Sequence, residues 1–554
     1  MKILNKYSGI IIAILFILFL ESIFLFMRSK FIDISLLIMP LFNDSPAHSI
    51  IYSFVFLVSV LGISVIPLIK NKYITVIIGF AISFAYAIDF IYMNINGIGF
   101  SLNDLSILSL EFQNYFHHVF YIYYQEIAYG VLIGISVFTC FRIIRTKIYF
   151  RISNYFVILP ILSIFCVFII QLKTNATFSL RIPSPYKFAS YLIYWNSYQP
   201  YYGDRENLTI QPVFPKKYDN IIWIIDCSVN ANYLGINDSH YKTTPFLDSI
   251  SNMYVNSGCV ASITNCSSIS NIFLMGMGNK NNLPDHGEKL LKQASIFAYA
   301  KNANYKTAYI SAQSQNNRLQ NYMSNFDLED IDYFYQPTSK EKKDMVYADE
   351  YLANKIKDYL TRYNGSFIYV VKSGSHFPWQ QNYPIEQAIY KPSLIGSQNI
   401  SSSDYQTRLN TYLNAIHWKT DHFFRTLLSD FSILDNNLFV YTSDHGQVIP
   451  NDYNKQTHCN THNPDIQEGI VPLLSFSSDL KKIPHLKSIF ELIPVTLDAM
   501  GYSSDVSGID SFISSAMFFP PRILTLAAFF LVAIVLLHHY LHAVLYHFTV
   551  FLIA

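Results

Sequence analysis

The sequence predicts an α/β protein in which a bundle of five transmembrane helices precedes a doubly wound domain. Two observations carry this prediction. The chain is strongly apolar up to about Leu172, whereas residues 173–515 are polar and rich in Asn, Ser, Tyr and Asp. In the polar part, short apolar runs alternate with helical patterns, which is typical of a parallel sheet covered by helices on both faces.

The composition excludes two classes of protein. With 51% hydrophobic and only 14% charged residues, the chain of 554 residues is too apolar for a soluble enzyme of this size. Its net charge of +1 offers no basic surface for nucleic acid, and no helix-turn-helix or zinc-finger spacing is evident. We therefore expect a membrane protein that does not bind nucleic acid.

Five apolar stretches are near the length of about 20 residues that a membrane-spanning helix requires. They cover Ile10–Met27, Ile50–Ile69, Ile74–Met93, Ile127–Phe141 and Tyr155–Leu172. The fourth stretch is short, so we expect its helix to extend into the aromatic residues before it. The first could be taken for a signal peptide, but no small-residue cleavage site follows it, which favours a retained helix.

The distribution of Lys and Arg predicts the orientation of these stretches. Basic residues precede the first stretch and cluster in the second and fourth connecting loops, whereas residues 94–125 contain none. Because cytoplasmic loops carry the excess of positive charge, we expect the N-terminus in the cytoplasm. The polar part then lies in the periplasm of a Gram-negative bacterium, and the chain is a multi-pass protein of the inner membrane.

The same pattern divides the chain into four parts. We expect a transmembrane domain over residues 1–172, a linker over 173–218 and a globular domain over 219–515. A further apolar segment over 520–554 contains several histidines. It is interpreted as a sixth, tilted membrane segment or as a frameshifted or truncated terminus.

Short apolar runs predict the buried strands of the globular domain, and longer periodic segments predict its helices. The strands are Asn220–Ile225, Thr307–Ile310, Phe367–Val371 and Leu438–Tyr441, and the helices include Leu290–Asn302 and Ala348–Tyr363. Ligands of doubly wound sheets bind at the carboxyl ends of the strands. Four polar residues follow three of these strands directly or closely, namely Asp226, His376, Asp444 and His445. Carboxylates and imidazoles together can hold a divalent metal such as zinc.

Residues 262–271 form a hydroxyl-rich run that leads into an apolar helical stretch. A hydroxyl at the N-terminus of a helix lies among free N–H groups that stabilise anions. If a metal bound its oxygen, the hydroxyl would become nucleophilic. Simple N-capping by Ser or Thr is the alternative interpretation. His458 and His462, farther along the chain, offer two imidazoles for a metal or for phosphate oxygens.

These residues, in this order, resemble the phosphoethanolamine transferases of the alkaline phosphatase/sulfatase superfamily, which are inner-membrane enzymes that modify lipid A and confer polymyxin resistance. The resemblance covers most of the chain, and the run around Asp444 is its most specific part. The motifs are Thr243-Thr244-Pro245, Gly374-Ser375-His376-x-Pro378, Asn410-x-Tyr412-x-Asn414 and Ser443-Asp444-His445-Gly446.

The resemblance implies a set of site residues. Asp444 and His445 would be zinc ligands, and His376, together with His458 or His462, would bind substrate phosphate or a second zinc. Asn271 and Asn414 would contact the substrate.

The resemblance also leaves one metal ligand open. The first strand of the family usually ends in a run whose Glu binds zinc, and here Cys227 stands in that position. Cys227 or the preceding Asp226 would therefore complete the metal site. We favour Asp226, because related sulfatases carry metal-binding aspartates at this strand end.

The resemblance likewise leaves the nucleophile open between two hydroxyl residues. The family has Thr followed by Ser three residues later. Ser267 with Ser270 fits the spacing, whereas Thr264 with Ser267 fits the residue type. We favour Ser267, then Thr264, with the thiol of Cys266 as the least favoured choice.

The resemblance further implies a disulfide near the nucleophile. Cys259 and Cys266 lie in or just before this run. Cys227 and Cys459 lie near the proposed metal and are candidates for further ligands.

The function implied is a zinc-dependent transfer of phosphoethanolamine through a covalent enzyme intermediate. The donor would be phosphatidylethanolamine, and the acceptor would be lipid A or another lipid-linked glycan. One alternative is a related phosphoglycerol transferase or hydrolase. Another is a sulfatase-fold pseudoenzyme that binds lipid or a partner, an interpretation that rests mainly on Cys227.

Overall fold

The fold is taken from a computed structural model of the chain. It describes residues 11–23, 46–96, 100, 123–173, 182–197, 204–278, 288–314, 317, 319–338, 345–396, 398, 403–451, 457–459, 464–483, 486 and 488–503. The apolar segment at 520–554 and His462 lie outside these residues.

Helices occupy all five apolar stretches of the N-terminal part. With one further helix, they are α1 (Ile11–Ile23), α2 (Pro46–Val65), α3 (Lys72–Asn96), α4 (Tyr124–Lys147), α5 (Ile158–Lys173) and α6 (Ser184–Ser197). The fourth extends into its aromatic flank, as expected. Within the described residues, α3 and α4 are long and apolar enough to cross a membrane, and the other apolar helices are shorter. The number of membrane spans therefore remains a prediction.

A buried ion pair joins α6 to the helices before it. The Nζ atom of Lys187 lies 2.5 Å from a carboxylate oxygen of Asp89, and both side chains are fully buried. The hydroxyl of Ser184 donates to the other oxygen of Asp89 at 2.7 Å. Removing either partner would leave an uncompensated buried charge, so the pair specifies how α6 packs on α3.

The polar part contains one sheet of seven strands with helices around it. The strands are β1 (Asn220–Asp226), β2 (Tyr254–Ala261), β3 (Lys306–Ser311), β4 (Tyr333–Tyr335), β5 (Ser366–Val371), β6 (Asn437–Ser443) and β7 (Ile470–Phe476). They are arranged in the order β2-β7-β6-β1-β5-β3-β4. The pairs among β6, β1, β5, β3 and β4 are parallel, and β7 runs antiparallel to its two neighbours.

Helices cover both faces of this sheet. They are α7 (Pro245–Ser249), α8 (Ser267–Met275), α9 (Glu288–Lys292), α10 (Ile296–Asn302), α11 (Ala348–Arg362), α12 (Tyr405–Ile416), α13 (Phe423–Leu427) and α14 (Leu492–Ala499). A π-helix over His417–His422 joins α12 to α13.

Alternation along β1 shows how the core is divided. Trp223 and Ile225 pack with α8, α10 and α14 on one face, whereas Ile222 and Ile224 pack with α11 and α13 on the other. Every residue of β1 is buried, because successive side chains point to opposite faces and both faces are covered. The predicted α/β domain is therefore confirmed.

Each predicted strand matches an observed strand to within two residues at either end. The predicted helix over Ala348–Tyr363 is α11. The single helix predicted over Leu290–Asn302 is instead two helices, α9 and α10. The chain begins a new helix at Ser295, whose side chain caps α10 by accepting from the N–H of Ala298.

The sequence did not predict β2, β4 and β7. Gly258 interrupts β2, Pro472 lies within β7 and β4 has three residues, so none of them has a continuous apolar pattern.

Candidate metal and nucleophile site

The site lies at the carboxyl ends of the three neighbouring strands β5, β1 and β6. Because these strands are parallel, the residues that follow them meet at one edge of the sheet. Cys227 follows β1, His376 follows β5, and Asp444 and His445 follow β6. These loops converge, as the sequence predicted.

Cys227, Asp444 and His445 form a buried group whose ligand atoms all lie within 4.8 Å of one another. Nδ1 of His445 donates to the carbonyl of Gly446 at 2.7 Å, which leaves the lone pair of Nε2 for another partner. Oδ2 of Asp444 is buried and has no hydrogen-bond partner among the described residues. A thiol, an imidazole and an orphaned carboxylate oxygen fit a divalent cation that accepts both sulfur and nitrogen, as zinc does.

Burial also affects the thiol of this group. It raises the pKa of Cys227 well above its ordinary value, and the nearby Asp444 carboxylate raises that pKa further. Coordination to a cation would reverse this effect, since a coordinating thiol is deprotonated. The protonation state of Cys227 is therefore expected to depend on metal binding.

Asp226, which we favoured as the third ligand, does not join this group. Its Oδ2 atom accepts from Lys372 Nζ and from the hydroxyl of Tyr441, the latter at 2.8 Å. Its Oδ1 atom accepts from the N–H of Cys227 at 2.9 Å. The geometry therefore favours Cys227 over Asp226 as a candidate ligand, because Lys372, which the sequence analysis did not place here, pairs with the Asp226 carboxylate.

Ser267 lies beside this candidate metal-binding group. Its Oγ atom is 3.1 Å from Nε2 of His445 and 3.8 Å from Sγ of Cys227. Ser267 is the first residue of α8, so its hydroxyl lies near the free N–H groups of a helix N-terminus. This position suits a nucleophile that must attack an anionic phosphate.

Thr264 instead stabilises the loop that precedes α8. Its hydroxyl is buried, donates to the carbonyl of Cys266 at 3.1 Å and lies 3.1 Å from the hydroxyl of Ser270. These contacts brace the turn that leads into α8. The geometry therefore supports Ser267 over Thr264, although both remain proposals.

Two further histidines extend the site. The ring of His458 is stacked on that of His445 at 4.3 Å between centroids and lies 5.6 Å from that of His376. Burial lowers the pKa of His458 well below its ordinary value, and His445 and His376 lower it further. A neutral His458 can donate one N–H to a phosphate oxygen.

A disulfide between Cys266 and Cys459 joins the residue before α8 to the residue after His458. Cys459 is therefore not a metal ligand, and Cys266 is not a nucleophile. Cys259 is an exposed free thiol and does not pair with Cys266. Pairing across 193 positions could not be read from the sequence.

The two asparagines predicted to contact substrate have internal roles instead. Asn271 donates to the carbonyl of Ser267 at 2.8 Å and accepts from the hydroxyl of Tyr369 at 2.8 Å. Asn414 accepts from the N–H groups of Ile389 and Tyr390 and donates to the carbonyl of Tyr390. Asn271 thus holds the nucleophile segment, whereas Asn414 holds a loop on α12.

The motif residue Tyr412 supports the loop that follows β1. Its hydroxyl donates to the carbonyl of Ser228 at 2.7 Å and accepts from the N–H of Asn230 at 3.0 Å. Sequence reasoning missed a second support, formed by Lys372, Asp349 and Lys419 behind Cys227. The available signal was a lysine directly after the apolar strand run at 367–371.

Comparison with known proteins identifies relatives of this arrangement. The sulfatase family profile matches residues 219–526. The chain is 26% identical over 326 residues to Kdo(2)-lipid A phosphoethanolamine 7''-transferase of Salmonella typhimurium, covering 54% of each chain. It is 25% identical over 327 residues to the Escherichia coli enzyme of the same name, covering 53% of this chain and 54% of that one. The alignment thus spans about half the length of these curated relatives.

One solved structure aligns with most of the chain. It is the integral membrane lipooligosaccharide phosphoethanolamine transferase A of Neisseria meningitidis, with a TM-score of 0.60 and 14% identity. The alignment covers 87% of this chain and 96% of that chain, which shows a shared fold. Together these comparisons confirm the resemblance to phosphoethanolamine transferases that the motifs predicted.

Proposed function

Because the chain belongs to the sulfatase family, we propose that it is a metal-dependent phosphoethanolamine transferase of a bacterial inner membrane. The observation that carries the proposal is the position of Ser267, which begins a helix and lies 3.1 Å from His445 within reach of the metal-binding group. The activities named for the two curated relatives support the same reaction class.

The proposed donor is phosphatidylethanolamine, and the proposed acceptor is lipid A or another lipid-linked glycan. Both are lipids, so a membrane-bound enzyme would meet them at the bilayer surface. We propose five membrane spans with the globular domain in the periplasm. The apolar helices and the distribution of Lys and Arg support this topology.

Zinc is the proposed metal, held by Cys227, Asp444 and His445. The orphaned Oδ2 atom of Asp444 supports this assignment, as does the Nε2 lone pair of His445, which faces the Ser267 hydroxyl. When bound, zinc would supply positive charge that lowers the pKa of the Ser267 hydroxyl and offsets charge on the phosphate oxygens.

In the first step, Oγ of Ser267 forms a bond to phosphorus, and the bond from phosphorus to the diacylglycerol oxygen breaks. The proton from Ser267 ends on diacylglycerol, and a phosphoethanolamine ester remains on the enzyme. In the second step, an acceptor oxygen attacks phosphorus, and its proton ends on the released Ser267. His458 would donate an N–H group to a non-bridging oxygen and offset its charge, because stabilising that charge is the main requirement of phosphoryl transfer. Nδ1 of His376 donates to the carbonyl of Phe377, so Nε2 of His376 would donate to such an oxygen only as an imidazolium.

The proposal is tested on the full chain purified in detergent and incubated with phosphatidylethanolamine. We expect one equivalent of bound zinc and an increase in intact mass equal to one phosphoethanolamine group. Peptide mapping should place that mass on the segment that contains Ser267. A protein with neither zinc nor adduct would favour the pseudoenzyme interpretation.

A further inference from the structure

Four buried charged residues lie directly behind the metal-binding group. Lys372 and Lys419 carry the positive charges, and Asp226 and Asp349 carry the negative charges. The side chains of both lysines are fully buried, and those of the aspartates are 0% and 3% exposed. Buried ions are costly to fold, so a cluster of four next to a reaction site calls for a specific role.

Asp226 connects this cluster to two metal-binding residues. Its Oδ1 atom accepts from the N–H of Cys227, and its backbone carbonyl accepts from the N–H of Asp444, both at 2.9 Å. On the other side, its Oδ2 atom accepts from Lys372 Nζ and from the Tyr441 hydroxyl. A shift of Asp226 would therefore move Cys227 and Asp444 relative to each other.

The two lysines are held by the loop after β5 and by the π-helix. Lys372 Nζ donates to the carbonyl of Lys419 at 2.6 Å, and Lys419 Nζ lies 2.9 Å from the hydroxyl of Ser373. Lys419 lies within the π-helix His417–His422, a rare element that is frequent at functional sites. Its wider turn places both the ammonium and the carbonyl of Lys419 in the cluster.

Asp349, in the first turn of α11, is the fourth member of the cluster. Its two oxygens accept from the N–H groups of Ser373 and Gly374, at 2.7 and 3.0 Å. The same loop then returns to the metal side, where the N–H of Ser375 donates to the carbonyl of Cys227 at 3.0 Å. The backbone of Cys227 is thus fixed from both sides by groups that the cluster orients.

We propose that Asp226, Lys372, Asp349 and Lys419 are positioning residues. They hold the Cys227 thiol at the distance from Asp444 and His445 that metal binding requires. The inference rests on the proposed metal-dependent function. Outer groups that orient metal ligands typically change metal affinity by about 10- to 100-fold when they are removed. None of the four residues needs to touch the substrate.

The test measures zinc affinity of the full-length protein in detergent, by competition with a chromophoric chelator at a temperature where every variant is folded. Tyr441→Phe removes one hydrogen bond to Asp226, and we expect a loss of about 10-fold in zinc affinity. Lys372→Met removes the ion pair, and we expect a loss of about 100-fold. In both variants the absorption of the cobalt-substituted site should change, because the Cys227 sulfur moves.

A matched control separates positioning from general destabilisation. Arg205 forms an ion pair with Asp327 at 2.5 Å, and both side chains are less than a tenth exposed. Arg205 also donates to the carbonyls of Leu290 and Gln293, which are not site residues. Arg205→Met should lower the melting temperature yet keep the zinc affinity and the cobalt spectrum. Asp226→Asn combined with Lys372→Met should recover part of the affinity, since the amide oxygen still accepts from Cys227 and no charge is left unpaired.

If Lys372→Met does not fold, Tyr441→Phe and the double variant decide the question. Unchanged zinc affinity in Tyr441→Phe and in the double variant, with zinc bound normally by the unsubstituted protein, overturns the positioning proposal and leaves the proposed function intact. Failure of the unsubstituted protein to bind zinc overturns both.

Discussion

At the scale of single residues, Cys227 is the feature that sets this candidate metal-binding group apart from a site made only of carboxylates and imidazoles. A thiolate is a softer ligand than a carboxylate and favours zinc and cadmium over magnesium or manganese. The group also contains Asp444 and His445, so it offers three different ligand chemistries within 4.8 Å. The identity of the metal should therefore depend on the sulfur atom.

The first prediction concerns this sulfur. Cys227→Ser should weaken zinc binding by at least about 10-fold and cadmium binding by more, because the hydroxyl is a poorer ligand for soft ions. The cobalt-substituted variant should lose the sulfur-to-cobalt charge-transfer absorption. Cys259→Ser, which removes an exposed free thiol, is the control and should retain both. An unchanged charge-transfer band in Cys227→Ser would exclude Cys227 as a ligand.

The second prediction separates the two hydroxyl residues of the nucleophile segment. Ser267→Ala should abolish the covalent phosphoethanolamine adduct while zinc remains bound by Cys227, Asp444 and His445. Thr264→Ala should retain the adduct and lower stability by about 1–3 kcal/mol, since it leaves buried partners unsatisfied. Intact mass and metal content of both variants provide the measurement. An adduct that persists in Ser267→Ala and disappears in Thr264→Ala would transfer the role to Thr264.

At the scale of structural elements, the loop after β5 must approach the end of β1 very closely. Gly374 has a φ of +65°, and a Cβ atom there would lie 2.6 Å from both Oδ1 of Asp226 and the nitrogen of Cys227. A side chain would therefore strain the backbone and displace Cys227.

The third prediction follows from this contact. Gly374→Ala should lower zinc affinity and destabilise the protein by more than the roughly 1–3 kcal/mol that a positive φ alone costs a non-glycine residue. Gly365→Ala is the matched control, because Gly365 has a φ of +75° with open space around its added methyl group. It should show the backbone penalty alone. Thermal unfolding and zinc titration of both variants distinguish the two effects, and equal zinc affinity in both would argue against the contact.

The fourth prediction concerns the disulfide between the start of α8 and the His458 segment. Replacing both Cys266 and Cys459 by Ala should lower stability by about 2–5 kcal/mol, because the bond closes a loop of 193 positions. It should also slow formation of the covalent adduct, since His458 is no longer held beside His445. Zinc content should change little. Thermal unfolding and the rate of adduct formation measure these effects, and an unchanged rate would show that the disulfide serves stability alone.

At the scale of the whole molecule, the proposed topology places the globular domain on the side of the membrane where it would meet the proposed lipid donor. The fifth prediction is that a reporter enzyme fused after the exposed Lys216 is active in the periplasm, because the dense Lys and Arg loops all lie on the opposite side. A fusion after Lys147, at the end of α4, is the control and should be inactive there. Cytoplasmic activity of the Lys216 fusion would contradict the five-span topology.

The sequence by itself was sufficient for the features that depend on local pattern. Continuous apolar runs predicted β1, β3, β5 and β6, since a strand buried on both faces is apolar throughout. Apolar length predicted the helices of the membrane part. The placement of His376, Asp444 and His445 at one sheet edge also followed, because parallel strands bring their carboxyl ends together.

Only the tertiary structure decided which neighbour at the end of β1 lies with Asp444 and His445. Asp226 and Cys227 are adjacent. Lys372, directly after β5, and Tyr441 in β6 donate to the Asp226 carboxylate, whereas the Cys227 thiol lies near Asp444. The disulfide partner of Cys266 was likewise decided by the fold. The physical reason is the same in both cases. These contacts join residues more than 140 positions apart, and local periodicity and spacing cannot predict a contact at that separation.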